Sequence, residues 1–260
     1  TSYQTTYPGG QTTYFQQITD KTNGQVLMES STNNFSWMPQ SNRLYYTRKG
    51  LQGKELVTVD PVTKAETILS QNLPDGWFSI APTEDFLIFT ISEKGPEKDK
   101  DIEEILVPDD RQPGWRNRSF LHKYDLATGV LERLTYGHNS TSLNDISKDG
   151  RYLLFTSSRR ELTKRPFSTK ILYRMDLQNR QVDTLLEDPF INYASFSPDG
   201  KQLAVSGSGE AFNKIGLNIA PGQTSNLADG QLFIYDLSNK QATAVSKDFN
   251  PSIQSFTWNT

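Results

Sequence analysis

The sequence predicts an all-β chain folded as a β-propeller of about five four-stranded antiparallel blades. Two recurring signatures and their spacing predict it. The first is an apolar residue, a spacer and usually proline, then a polar turn and an apolar residue five positions on. It reads Trp37-Met38-Pro39 to Leu44, Ile80-Ala81-Pro82 to Leu87, Ile146-Ser147-Lys148 to Leu153 and Phe196-Ser197-Pro198 to Leu203, with a truncated copy at Phe256-Thr257-Trp258. The second is an apolar strand ending in Asp, followed by Thr or Asn and then Gly, Lys or Arg. It reads Asp20…Asn23-Gly24, Asp60…Thr63-Lys64, Asp125…Thr128-Gly129, Asp176…Asn179-Arg180 and Asp236…Asn239-Lys240. A period of roughly 40–65 residues is that of one blade per repeat.

From the N-terminus, Pro8-Gly9-Gly10 is a turn between strands expected at 2–7 and 11–18, and residues 11–29 match the outer hairpin of a blade. Complete blades follow at approximately 33–71, 74–137, 142–188 and 191–249, all within one propeller domain spanning 1–260. Residues 251–259 match the innermost strand of a further blade. Two arrangements fit. Residues 251–260 and 1–30 share a fifth blade that closes the ring, bringing Tyr3 opposite Trp258, or the chain is an excerpt of a larger propeller with both end blades incomplete.

The fourth complete blade shows the logic. Tyr193 to Ser197 is the inner strand, and Pro198-Asp199-Gly200-Lys201 reverses the chain because Pro presets φ near −65° while Gly tolerates φ > 0. Leu203 to Val205 returns, and after a long loop Leu232 to Tyr235 and Ala242 to Val245 form the outer hairpin. The Asp that opens each outer turn caps it, its carboxylate accepting backbone N–H groups two or three residues on. Gly24 and Gly129 sit where a bulged hairpin needs a left-handed residue. That reading outweighs a metal or catalytic role for the five aspartates.

Composition excludes more than it selects. A net charge of −3 with interspersed signs gives no case for nucleic acid or anionic membrane, and no run approaches the ~18 apolar residues of a membrane helix. Cysteine is absent, which removes disulfides and thiolate chemistry. No cofactor is expected. The chain begins at Thr1 without a signal peptide or initiator Met, as a processed or excerpted chain would.

Candidate sites lie on insertions. Strands alternate in direction, so the loops between second and third strands share one face, and three are long: about 92–117, 157–169 and 207–230. In the first, residues 93–110 hold eight acidic and three basic residues, followed by Arg111, Arg116 and Arg118. Ile102, Ile105 and Leu106 have the spacing of one amphipathic turn, stopped by Pro108. Glu103 and Glu104 would offer carboxylates to a cationic ligand, and a solvated charge run is the plainer alternative. The second insertion, Arg159 to Phe167, is basic and would pair with the acidic loop beside it. The third carries Glu210, Phe212 and several glycines, as a lid or partner contact would.

Signals for catalysis are thin. His122 falls in a strand pattern and His138 in a loop, and there is no G-x-S-x-G elbow, H-E-x-x-H, P-loop or G-x-G-x-x-G. Asn34, Asn117 and Asn139 head N-x-[ST] triplets at near chance frequency, so glycosylation does not follow. Asp145 is the one clear acidic residue on an innermost strand.

Four segments carry a resemblance: 111–119 (Arg-Gln-Pro-Gly-Trp-Arg-Asn-Arg-Ser), 164–169 (Lys-Arg-Pro-Phe-Ser-Thr), 196–201 (Phe-Ser-Pro-Asp-Gly-Lys) and 247–252 (Lys-Asp-Phe-Asn-Pro-Ser). Over approximately 33–258 the chain resembles the N-terminal propeller of dipeptidyl-peptidase-IV-like serine peptidases of the prolyl oligopeptidase family, above all their bacterial secreted members. The 196–201 turn is shared with TolB-like and WD-repeat-like propellers. The resemblance implies a propeller that gates peptide substrates, commonly of seven or eight blades, joined to an α/β-hydrolase domain that holds Ser, Asp and His. It also implies a Glu pair that fixes the substrate's free amine, to which Glu103-Glu104 corresponds as a dyad on an insertion. Arg111, Arg116 and Glu210, read from the insertions themselves, are further candidate ligand contacts. This chain has fewer blades and no hydrolase domain. The expectation is therefore a non-catalytic recognition and gating propeller of a periplasmic or secreted serine exopeptidase, taking a peptide or protein partner on its long-loop face. A stand-alone TolB-like protein-binding scaffold is the alternative. A five-bladed carbohydrate-active enzyme would need more axial carboxylates than Asp145.

Overall fold

A computed structural model describes residues 1–95, 105, 116–220, 222–249 and 252–258. Nineteen strands among the described residues form five antiparallel sheets, each a meander in chain order. The first sheet is β1 (Ser2–Thr6), β2 (Thr12–Thr19) and β3 (Val26–Ser30). The second is β4 (Ser36–Trp37), β5 (Leu44–Lys49), β6 (Lys54–Val59) and β7 (Glu66–Leu73), and the third β8 (Trp77–Ile80), β9 (Phe86–Glu93), β10 (Arg118–Asp125) and β11 (Leu131–Arg133). The fourth is β12 (Thr141–Ile146), β13 (Tyr152–Arg160), β14 (Ser168–Asp176) and β15 (Val182–Asp188), and the fifth β16 (Ile191–Phe196), β17 (Gln202–Ser208), β18 (Gly230–Asp236) and β19 (Ala242–Ala244). The four four-stranded sheets coincide with the four repeats, and each is one propeller blade.

The two signatures are the two turns of a blade. Ser147 and Ser197 each donate from Oγ to an Asp two residues on, at 2.6 and 2.7 Å, and each Oγ accepts the N–H of the residue that starts the next strand. The outer turns agree in all five sheets. Gly24, Lys64, Gly129, Arg180 and Lys240 have φ of 58–74° and donate N–H to the carbonyl of Asp20, Asp60, Asp125, Asp176 and Asp236 at 2.8–2.9 Å. Each aspartate also accepts N–H bonds on its own carboxylate from residues two or three on. Asp60, Asp176 and Asp236 are held below the usual carboxylate range, led by the Thr63 amide, the Arg151 guanidinium and the Ser238 hydroxyl respectively, with the backbone bonds adding to the last two. The aspartates are turn caps.

The chain divides into two compact units, residues 1–87 with 124–131, and residues 88–123 with 132–260. In the first, Phe35, Leu44, Tyr46, Val57 and Val59 are buried and packed on by Ile18 and Met28. Ser70 and Tyr124 hydroxyls meet at 2.8 Å. In the second, Leu154, Leu172, Ile191, Phe196, Leu203, Val205, Phe233 and Tyr235 make a continuous core between the fourth and fifth sheets. Alternation along each strand aims these side chains at the facing sheet, and each such burial contributes about 1.5–3 kcal/mol.

Residues 252–258 are not part of any sheet. The Ile253 N–H donates to Gly230 O at 2.9 Å, the Gly230 N–H to Ser252 Oγ at 2.7 Å, and the Trp258 Nε1–H to Ser195 Oγ at 3.2 Å. Ser195 stands in its repeat where Asp145 stands in the preceding one, and Asp145 Oδ2 accepts the Phe196 N–H at 2.8 Å. The segment thus stands to β16 as β16 stands to β12, each contact made through the same strand position of the repeat. Read from the sequence as an inner strand, it makes no strand pairing among the described residues. Tyr3, read as a closing partner of Trp258, stacks on Phe15 at 5.1 Å between centroids.

Candidate functional site

Two kinds of connection meet at one end of the fourth and fifth sheets: the loops between second and third strands, and the crossings from one sheet to the next. The β13–β14 loop and the β17–β18 insertion lie there, and so does a cavity of about 460 Å³. Its wall is Asn192 and Tyr193 of β16, Ser206 and Gly207 of β17, Ala228, Gly230, and residues 252–256. Two glycines of the wall have no room for a side chain. A Cβ on Gly230 would stand 2.3 Å from Ile253 O, and one on Gly207 2.7 Å from Phe190 O.

Asn192 has left the ladder. Register runs Ile191↔Gly207 and then Tyr193↔Ser206, so Asn192 is the extra residue of a β-bulge, a device that re-aims a side chain. Its backbone carbonyl and Oδ1 accept from Lys170 Nζ at 3.3 and 3.5 Å. Lys170 is half-buried, and burial pushes its ammonium below the usual lysine range. Tyr193 faces Phe256 across 6.0 Å between ring centroids. Burial, with the Asp145 charge second, raises the Tyr193 hydroxyl pKa. Asp145, beside a bulge in β12, has a carboxyl raised by burial despite two accepted backbone bonds, from Ile146 and Phe196 at 2.8 Å each.

The β17–β18 insertion is built rather than loose. Ala211–Lys214 is a single tight turn in which Phe212, Asn213 and Lys214 take φ of 53°, 57° and 70°, a left-handed stretch that costs about 1–2 kcal/mol per residue. Burial of Phe212 against Phe233 and Tyr235, at 5.1 and 6.0 Å, and its N–H bond to Asp188 Oδ2 at 2.7 Å offset that strain.

The site residues read from the sequence separate accordingly. Glu103, Glu104 and Arg111 lie outside the described residues, as does the amphipathic turn at 101–106 except Ile105, which is exposed. Arg116 forms the stem of that insertion: a Cβ on Gly95 would stand 2.5 Å from Arg116 Cβ, and the Gly95 N–H bonds Asn117 Oδ1 at 2.9 Å. Glu210 turns inward, accepting from Ser225 Oγ and lying 3.5 Å from Lys214 Nζ, so it organises its own insertion. The basic second insertion was expected to pair with the acidic loop. Most of the acidic loop lies outside the described residues; among those described, Arg159 pairs with Glu161 and Glu187 at 3.2 and 2.9 Å, and Lys164 with Glu161. Sequence reasoning missed Lys170, Asn192 and Tyr193. Only a bulge makes Asn192 a site residue, and no composition signal marks it. Among the described residues no three His, Asp or Glu side chains gather as metal ligands, and no helix is long and apolar enough to cross a membrane.

No protein-family model and no curated protein sequence matches the chain. Solved structures do. The acylaminoacyl peptidase of Pyrococcus horikoshii superposes with a TM-score of 0.62 at 12% identity, over 94% of this chain and 37% of that one. The β-propeller domain of the trilobed protease of Pyrococcus furiosus superposes at 0.55 with 12% identity, over 96% and 68%. TolB of Acinetobacter baumannii, at 18% identity over 89% and 48%, reaches 0.49, too low to carry an argument. The chain thus spans about half of that TolB and just over a third of the peptidase. At such identities the likeness shows the fold, a β-propeller of the kind found in these peptidases.

Proposed function

We propose that this chain is a recognition and gating propeller of a secreted or periplasmic serine exopeptidase, inactive by itself and completed by an α/β-hydrolase domain. The observation that carries the reading is the match of nearly the whole chain to the propeller portion of peptidases. The insertions and the cavity gathered at one end of the sheets support it, because binding residues collect on loops held by a rigid scaffold. On this reading a peptide passes the long-loop end, where Glu103 and Glu104 hold its free amine and Arg116 and Arg111 flank it.

The test has two parts. The purified chain should neither turn over an Ala-Pro chromogenic dipeptide nor label with a serine-directed fluorophosphonate. It should bind short free-amine peptides more tightly than their acetylated forms, with the difference reduced in Glu103→Gln/Glu104→Gln. Robust turnover by the chain alone overturns the proposal.

A further inference from the structure

The cavity wall has a chemical bias that the gating reading does not use. Among the described residues that line it there is no carboxylate. Its polar groups are amides and hydroxyls: Asn192, Gln254, Ser252, Ser255, Ser206 and Tyr193. Ser206 Oγ donates to Tyr193 O at 3.4 Å, and Ser252 Oγ accepts the Gly230 N–H, which leaves the Ser252 hydroxyl proton free to donate. Asn192 Oδ1 is turned to Lys170, so its NH₂ group is the end available to the cavity.

Behind Asn192 stands a cation with no counter-ion among the described residues. Among the described residues Lys170 Nζ meets only the two Asn192 oxygens, both neutral. Its cross-strand partner is Asp188, the carboxylate nearest by register. That carboxylate is committed elsewhere, accepting the Phe190 N–H on Oδ1 at 2.8 Å and the Phe212 N–H on Oδ2 at 2.7 Å. Asp145, near Tyr193, is the opposing charge, and it too is solvated by two backbone amides. A half-buried ammonium held by uncharged acceptors favours an anion close by, and the donors around it match a carboxylate. The Tyr193 and Phe256 rings supply an apolar wall for a side chain attached to it.

We infer that this cavity binds the C-terminal carboxylate of a short peptide with a large apolar last residue, Lys170 acting as counter-charge through Asn192. The inference rests on the proposed peptide recognition and adds which end of the peptide this cavity takes. Glu103 and Glu104 play no part in it, since an acetylated peptide has no amine for them.

Calorimetric titration of the full chain with acetyl-Ala-Ala-Phe and with acetyl-Ala-Ala-Phe-amide tests it. The carboxylate form is expected to bind about tenfold more tightly than the amide. Lys170→Met should bring the ratio close to one while leaving amide affinity within about twofold. Asn192→Asp, which places a carboxylate beside Lys170 without changing shape, should do the same and serves if Lys170→Met folds poorly. Tyr193→Ala should weaken both peptides alike. Equal binding of acid and amide, or a ratio unchanged in both variants, overturns the carboxylate site while peptide recognition stands. Binding of neither acetylated peptide, while a free-amine peptide binds, also overturns the site alone. No peptide binding of any kind removes the gating reading with it.

Discussion

Gly230→Ala tests the cavity wall most directly. The added Cβ would lie 2.3 Å from Ile253 O and 3.1 Å from Ser252 Oγ, so something must move. Either β18 deforms or residues 252–258 lift away. β18 is hydrogen-bonded to β17 along seven register pairs from Gln202↔Asp236 to Ser208↔Gly230, and Phe233 and Tyr235 are buried beneath it. Near Gly230 the segment is held by two hydrogen bonds, each contributing about 0.5–1.5 kcal/mol. Overpacking costs about 1–3 kcal/mol, comparable with those two bonds and well below the cost of opening the core. The segment should therefore detach and the sheet stay. The assay uses Trp258 as reporter, with Trp37, Trp77 and Trp115 replaced by Phe. Gly230→Ala should shift its emission to the red and speed amide exchange at Ile253, while lowering the denaturation midpoint by no more than about 2–4 °C. Unchanged emission and exchange would refute the reasoning, and so would a midpoint loss as large as that of a core truncation such as Phe233→Ala.

Three further outcomes are expected. At the outer turns, Lys240→Gly should stabilise and Gly129→Ala destabilise, each by about 0.5–1 kcal/mol in denaturant melts. The reason is that φ is 58° and 71° there, and a Cβ on Gly129 meets only Tyr124 Oη at an ordinary 3.5 Å. For Asp145 the folded-state pKa is raised by burial, so the unfolded chain releases its proton first as pH rises. The group's contribution is present below the unfolded value and is lost as pH climbs through the raised one. Asp145→Asn does not titrate, and its stability relative to the native chain should improve from about pH 4 to 7 in paired melts; a relative decline would contradict the burial argument. Lastly, Glu210→Gln weakens the ties to Ser225 and Lys214, and limited proteolysis should cut the β17–β18 insertion several-fold faster with no change in global midpoint.

Much of the architecture was legible because turn chemistry is local. An Asp whose carboxylate caps a turn, followed by a residue held at positive φ, determines a hairpin from five residues, whatever packs on it. Both signatures therefore mapped onto real turns in every sheet where they were read, and the aspartates proved to be caps. The insertions were equally visible, as interruptions between strands. Their internal partners were not. Arg159 pairs with Glu161 two residues on and with Glu187 at the end of β15, and Glu210 pairs within its own insertion, contacts that depend on how the backbone bends.

The candidate site was settled at the tertiary level. Register slips by one residue at Asn192, and that slip sets an amide in the cavity wall with a half-buried lysine from the neighbouring sheet behind it. A bulge shows no composition signature, and Lys170 reads in the sequence as one more polar residue of a strand. Periodicity alone thus determined which segments become strands and where they reverse, since those choices depend on bonds between near neighbours. Where charges end up unpaired depends on how sheets meet, and only long-range packing decides that.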